Sequence, residues 1–308
     1  MSRSKRAAGG DTAPVPSESV KWYRQTGWLL AVSLVCCTIV TVGLRLALGA
    51  AFTGLFRAWG VDAATVTRAP TWAQLFYRWH GSAVTLASAI ALIGLSMWLR
   101  GLWTGSGALP PPARRDRGDG LRSAARPCTI FALIGLAAAA LVLAVSILPD
   151  SIRAERAAPR LTWALPVMLV VAFISTLAEE LFTKRVLYDG IASRWGTLWA
   201  TLVSAAGFFL MAGGYAGNVL SAVNVALLGS LCCLVHARHG LWASVGLRFG
   251  WTAATVFLMG FGGGEASVWR FYGVSEGLFT GGDAGPVYGL YMTILLIVGI
   301  VRLAWKKK

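Results

Sequence analysis

The chain has 308 residues, 56% of them hydrophobic and only 13% charged, with a mean hydropathy of +0.64. That composition excludes an ordinary soluble domain and describes a polytopic membrane protein. The formal net charge of +15 invites a nucleic-acid reading, but the basic residues sit where membrane topology puts them, as the order of elements shows.

Residues 1–26 are polar and basic, with Gly9, Gly10, Pro14, Pro16 and several serines, and are expected to form a disordered tail. The first apolar run, Trp28–Ala51, is longer than the core of a signal peptide and reads as an uncleaved helix. With Gly81–Leu99 it makes a two-helix N-terminal part, residues 27–99. Residues 100–127 are rich in Pro, Gly and Arg and read as a flexible basic loop. Six further apolar runs fill residues 128–308: Cys128–Leu148, Leu161–Ala178, Leu198–Met211 (starting near Trp195), Val219–His236, Leu241–Phe261 and Val287–Trp305. The expected fold is therefore an all-α integral membrane protein of about eight transmembrane helices. Barrel strands would instead alternate over about ten residues. No internal repeat is visible, which disfavours the inverted-repeat plan of many transporters.

With eight spans, the clusters Arg3/Lys5/Arg6/Lys21/Arg24, Arg114/Arg115/Arg117/Arg122/Arg126, Lys184/Arg185/Arg194 and Lys306–Lys308 all fall on one side. The loop after the seventh run, with Glu265, Glu276 and Asp283 against Arg270, falls on the other. The positive-inside pattern then puts both termini in the cytoplasm, in the cytoplasmic membrane. Attraction to anionic lipid is a second use of the same charge. One loop dissents: Asp150–Arg160 should lie outside yet carries Arg153, Arg156 and Arg160.

The five cysteines lie in apolar runs without CxxC spacing, so neither a disulfide framework nor a zinc ribbon is indicated. Cys232, Cys233, His236 and His239 suggest a metal site, since Cys232 and Cys233 each share a helical face with His236, but they also fit a helix ending at the membrane surface with polar residues in its last turn. His80, in Arg78-Trp79-His80, sits where aromatic and basic anchors are expected and receives no catalytic role.

Glu179-Glu180 stand at the end of an apolar run in a chain that avoids charge. Acids at such a depth usually face a protein interior or a water-filled cavity and mark a working site. The bland alternative is a helix end reaching water, with Glu180 paired to Lys184 at i, i+4.

From Glu179 the text reads EELFTKRVLYDGIASRWGTLWATLVSAAGFF, then GNVLSAVNVALLGSLCCLVHARHGLWASVGLRFGW, then LFTGGDAGPVYG. The double Glu, the aromatics after Ser204, Asn224-x4-Gly229, Gly240-Leu241-Trp242 and Gly281-Gly282 follow one another at characteristic spacing. This order, over about Leu161 to Leu290, resembles the CAAX-protease and bacteriocin-processing family of intramembrane metalloproteases, which includes the prenyl-protein CAAX proteases. The resemblance implies a six-helix membrane core and an endopeptidase acting on membrane-associated, including prenylated, peptides. It implies that Glu179 activates water with a His from an FxxxH motif, and that a later HxxxN/D helix stabilises the oxyanion. A positioned carboxylate, a proton-sharing imidazole and pre-oriented donors are what such a hydrolysis needs.

The match is uneven. Lys184 stands where the family has Arg, which loses the bidentate fork. Phe208 matches, but Ala212 stands in the place of the His. Arg248 replaces the next His, and Thr252 replaces the Asn or Asp. The only histidines are His80, His236 and His239, none in a motif position. The family is described as metal-dependent, yet its ligand histidines are absent here, so no cofactor is predicted. Arg248, eight residues into an apolar helix, is expected to pair with Glu179 or Glu180. That pairing would hold a carboxylate ionised, the opposite of what a general base near neutral pH needs.

Three readings stay open. The first is an endopeptidase using Glu179, Glu180, Arg248 and Thr252, the last two as substitute oxyanion donors. The second is an inactive family member acting as a scaffold or binding protein. The third, less favoured, is a small-solute carrier. Whether the chain is an enzyme is thus left undecided by sequence. The partners expected are the bilayer and a membrane protein or lipidated peptide, and no nucleic acid.

Overall fold

The computed structural model describes residues 16–62, 65–106, 121–147, 152–156, 164–211, 219–260, 267–273, 279 and 289–305. Ala212, Gly262-Gly263-Gly264, Gly281-Gly282, the core of the basic loop and the terminal lysines lie outside these residues.

Helices α1 (Pro16–Thr38) and α2 (Leu44–Ala58) join through a π-helical turn, Ile39–Gly43, into one rod. The rod begins inside the stretch expected as a tail, because residues 16–26 continue the helical register of the apolar run behind them. Helix α3 (Thr71–Gly105) and helix α4 (Leu121–Ile147) both extend into the stretch expected as a loop. Pro127 lies within α4 rather than before it. At this seventh position of the helix, past the first turn, the proline removes one bond from the ladder.

Helix α5 (Ala164–Glu180) runs through a π-helical segment, Leu181–Tyr188, directly into α6 (Asp189–Met211). The polar stretch that reads as a loop is therefore helical, and its charges pair along the helix: Lys184 with Glu180 at 3.7 Å and Arg185 with Asp189 at 3.6 Å. The bend between the expected fourth and fifth spans falls at Gly196, whose φ of 82° suits glycine. Helix α7 (Val219–His239) turns at Gly240, with φ of 86°, into α8 (Leu241–Thr252). A third π-helical segment, Ala253–Leu258, extends α8, and α9 (Leu290–Trp305) follows.

Among the described residues, five helical runs are long and apolar enough to cross a membrane: Gln25–Ala58, Thr71–Gly105, Ser123–Ile147, Leu165–Met211 and Val219–His239. The fourth of these joins two of the expected spans. The protein is thus a helical, multi-pass membrane protein. A short antiparallel ladder, β1 (Ile152–Arg156) with β2 (Trp269–Gly273), ties the segment after α4 to the segment after α8, with Glu155 opposite Arg270. The dissenting arginines Arg153 and Arg156 lie in this ladder.

Among the described residues, two of the apolar clusters bear on the placement of the site. In the first, Trp103 of α3 donates its indole N–H to Ser33 of α1 at 3.1 Å and covers Gly190 of α6, where a Cβ would overlap the ring. In the second, Ala139 and Val142 of α4, Trp251 of α8 and Met292 and Leu296 of α9 pack together. Asn224 of α7 donates to the Gly289 carbonyl at 3.0 Å and accepts from Thr293 at 2.6 Å, fixing α9 against α7.

Candidate functional site

The site forms where α5 ends and α8 crosses it. Helix α8 is set by glycine. A Cβ on Gly246 would overlap the Cys128 carbonyl of α4, one on Gly250 the Ala132 carbonyl, and one on Gly135 of α4 the Leu247 carbonyl. This Gly-x-x-x-Gly spacing lets two membrane helices approach backbone to backbone. Residues two positions away point to the other side of the helix, so Ser244 and Arg248, an i, i+4 pair, face α5.

There they meet the two acids. One nitrogen of the Arg248 guanidinium, Nη2, bonds Glu179 Oε2, and Nη1 lies 3.5 Å from Glu180 Oε1. The hydroxyl of Ser244 donates to Glu180 Oε2, and Lys184 Nζ stands 3.7 Å from that same oxygen. Ser175 donates to Glu179 Oε1 at 3.5 Å. Lys184 also donates to Thr183 Oγ1 at 3.3 Å. Phe208 of α6 covers the cations, with Arg248 Cζ 4.2 Å and Lys184 Nζ 5.8 Å from its ring centroid, in cation–π geometry. Gly229 of α7 admits this ring, since a Cβ there would press on Phe208.

The cluster holds two carboxylates and two cations, so its formal charge is zero. Glu180 and Lys184 are 0% exposed, whereas the Glu179 and Arg248 side chains keep 14% and 13%. The reading of Glu180 and Lys184 as a helix end in water is thereby overturned. The helix continues past Glu180 through the π-helical segment that holds Lys184, so both lie in the protein interior, where an unpaired charge would be costly and each is instead paired and hydrogen-bonded.

Of the sequence candidates, the structure brings together Glu179, Glu180 and Arg248. Thr252 lies one turn further along α8, and among the described contacts its side chain bonds neither carboxylate. Ser244, Lys184 and Phe208 complete the cluster. Ser244 could have been found by counting four residues back from Arg248. The pairing of Lys184 with Glu180 is legible from its i, i+4 spacing, but its full burial is not, since its neighbours Arg185 and Asp189 make the stretch read as polar surface.

Cys232 and Cys233 are buried free thiols. His236 gives its Nε2 to Asp189 Oδ1 at 2.8 Å, against the edge of Tyr188. His80 packs among Phe52, Phe56 and Tyr77. Among the described residues no group of three or more His, Cys, Asp or Glu converges as metal ligands would. The site's own donors do not fit the metal that the family implies. Each carboxylate already faces a cation, and a divalent ion between them would be repelled by Arg248 and Lys184.

Helices α5 to α8 thus define a polytopic membrane protein with a buried ionic cluster at the crossing of two spans. Residues 161–254, which contain every member of that cluster, match the family model of type II CAAX prenyl endopeptidase Rce1-like proteins, and this match supports membership of the CAAX-protease family for that part of the chain. No curated protein and no solved structure matches the chain.

Proposed function

We propose that this chain is a non-hydrolytic member of the CAAX-protease family, which binds membrane-protein segments or lipidated peptides as a scaffold and does not cleave them. The observation that carries the reading is Arg248, bonded to Glu179 and reaching Glu180 from a position where the family has His. A general base must offer a free lone pair to water and then hold the proton it takes. Here the carboxylates are engaged by two cations and two hydroxyls, and their charge is already balanced. An arginine cannot relay a proton, because it stays protonated. The same cluster, neutral and rigid, suits a domain that keeps its ancestral shape for recognition.

A second reading rests on the residual exposure of Glu179 and Arg248, which leaves this half of the pair within reach of the surface. In it, Glu179 is the base, Glu180 its partner, and Arg248 with Thr252 stabilises the oxyanion. The two are separated by reconstituting wild type and Glu179→Ala in liposomes with a farnesylated membrane peptide. The proposal expects no cleavage by either protein, with peptide capture altered by the substitution. Cleavage by the wild type that Glu179→Ala abolishes at equal abundance would establish the enzyme. For orientation, the basic clusters support both termini lying in the cytoplasm, at the cytoplasmic membrane.

A further inference from the structure

Away from the ionic cluster, an elongated crevice of about 380 Å³ runs between α4, α7, α8 and α9. We propose that it binds an anionic phospholipid, one acyl chain in the crevice and the phosphate at Arg302 and His239.

The walls are apolar for most of the length. Trp251, Leu228 and Leu295 line the deep end, and Leu231 faces Gly299 in the middle. At Gly299 a Cβ would lie 3.3 Å from Leu231, so the missing side chain keeps this waist open. His239 and Arg302 stand at the mouth, in the last turns of α7 and α9. Ile134 on the wall is exposed on the outside of the bundle, which gives a chain a lateral way in from the bilayer.

The dimensions select a lipid. From Leu228 to His239 is eleven residues of helix, about 16 Å at the helical rise. One leaflet of a bilayer is about 15 Å of hydrocarbon, half of the full core. A crevice of that depth with a polar mouth matches one acyl chain hanging from a headgroup, whereas a transmembrane peptide would need twice the length.

The charge selects its class. Helices α4, α7, α8 and α9 contain no Asp or Glu. Arg302 is exposed and, among the described residues, has no ion-pair partner, and Arg238 adds a further positive group next to His239. Basic groups at the surface end of an interhelical pocket attract the phosphate of an anionic lipid.

The test is native mass spectrometry of the full-length protein in detergent, offered phosphatidylglycerol and phosphatidylcholine in equal amounts. Preferential retention of phosphatidylglycerol is expected, falling about fivefold in Arg302→Gln while phosphatidylcholine retention stays level. Gly299→Leu, which closes the waist, is expected to lower retention of both. Equal retention of the two lipids by the wild type would overturn the proposal, and so would unchanged phosphatidylglycerol retention in either variant. Because Arg302 is exposed, its variant decides the outcome alone if Gly299→Leu does not accumulate. A farnesylated peptide that displaces phosphatidylglycerol from the wild type would also overturn it.

Discussion

Arg248 gains most of its attachment from geometry that lysine could not reproduce. Its planar fork reaches two carboxylates while its face lies on Phe208, so Arg248→Lys keeps the charge and loses one contact. Around it, hydroxyls divide into those that serve the cluster and those that do not. Ser244→Ala removes a hydrogen bond to a buried carboxylate and is expected to cost about 1.5–3 kcal/mol, the range for bonds to charged groups. Thr252→Ala removes no bond to either carboxylate and is expected to stay within about 0.5 kcal/mol. Reversible unfolding in mixed micelles measures both, and equal losses would show that Thr252 belongs to the cluster. At this scale the sequence is informative about charge and poor about depth. Glu179, Glu180 and Arg248 stand out because charge is rare in apolar runs. Ser244 does not, since serine is ordinary in membrane helices, and Lys184 reads as a surface residue until α5 is seen to continue past it.

Helix boundaries were harder to read than helix existence, and the reason is the π-helical segments. Leu181–Tyr188 begins directly after Glu180 and contains Lys184, and Ala253–Leu258 begins little more than a turn beyond Arg248 on α8. Such segments hold a continuous helix while changing the direction of its side chains, and they cluster at functional sites. Hydropathy alone sees the charged Lys184–Arg194 stretch as a loop, and it has no means of seeing a bend at Gly196 in place of a break. The close seat of α8 on α4 is written in Gly246-x3-Gly250, which becomes meaningful only when a partner helix is known. A Cβ at Gly250 would meet the Ala132 backbone, whereas one at Gly94 of α3 would meet open space. Gly250→Ala is therefore expected to destabilise by about 1–3 kcal/mol as overpacking does. Gly94→Ala should be neutral or stabilising by up to about 1 kcal/mol, since it removes helix-interior glycine. Thermal unfolding of the two variants side by side checks this. A comparable loss in both would mean that α4 and α8 do not meet backbone to backbone.

For the molecule as a whole, composition and charge placement point to the class, and the fold keeps the two uses of charge apart. In the proposed orientation the basic residues near the helix ends lie on the cytoplasmic side, while the neutral cluster sits inside the protein at the crossing of α5 and α8. The proposed orientation predicts that cysteines introduced before Trp28 and after Trp305, in a background lacking the native ones, label from the cytoplasmic side. One introduced in Ile152–Arg156 should label from the opposite side. The central claim is that Arg248 is bound to its carboxylates as a fixed, charge-balancing part of the structure. It is tested most directly by comparing stability in membranes for Arg248→Ala alone and Arg248→Ala with Glu179→Gln. The double variant leaves the Glu180–Lys184 pair intact and removes the carboxylate that Arg248 would abandon. The single substitution is expected to cost about 3–5 kcal/mol, as breaking a buried pair does, and the double variant to recover most of that loss. If neutralising Glu179 restores nothing, Arg248 is not its structural counter-ion and the non-hydrolytic account fails.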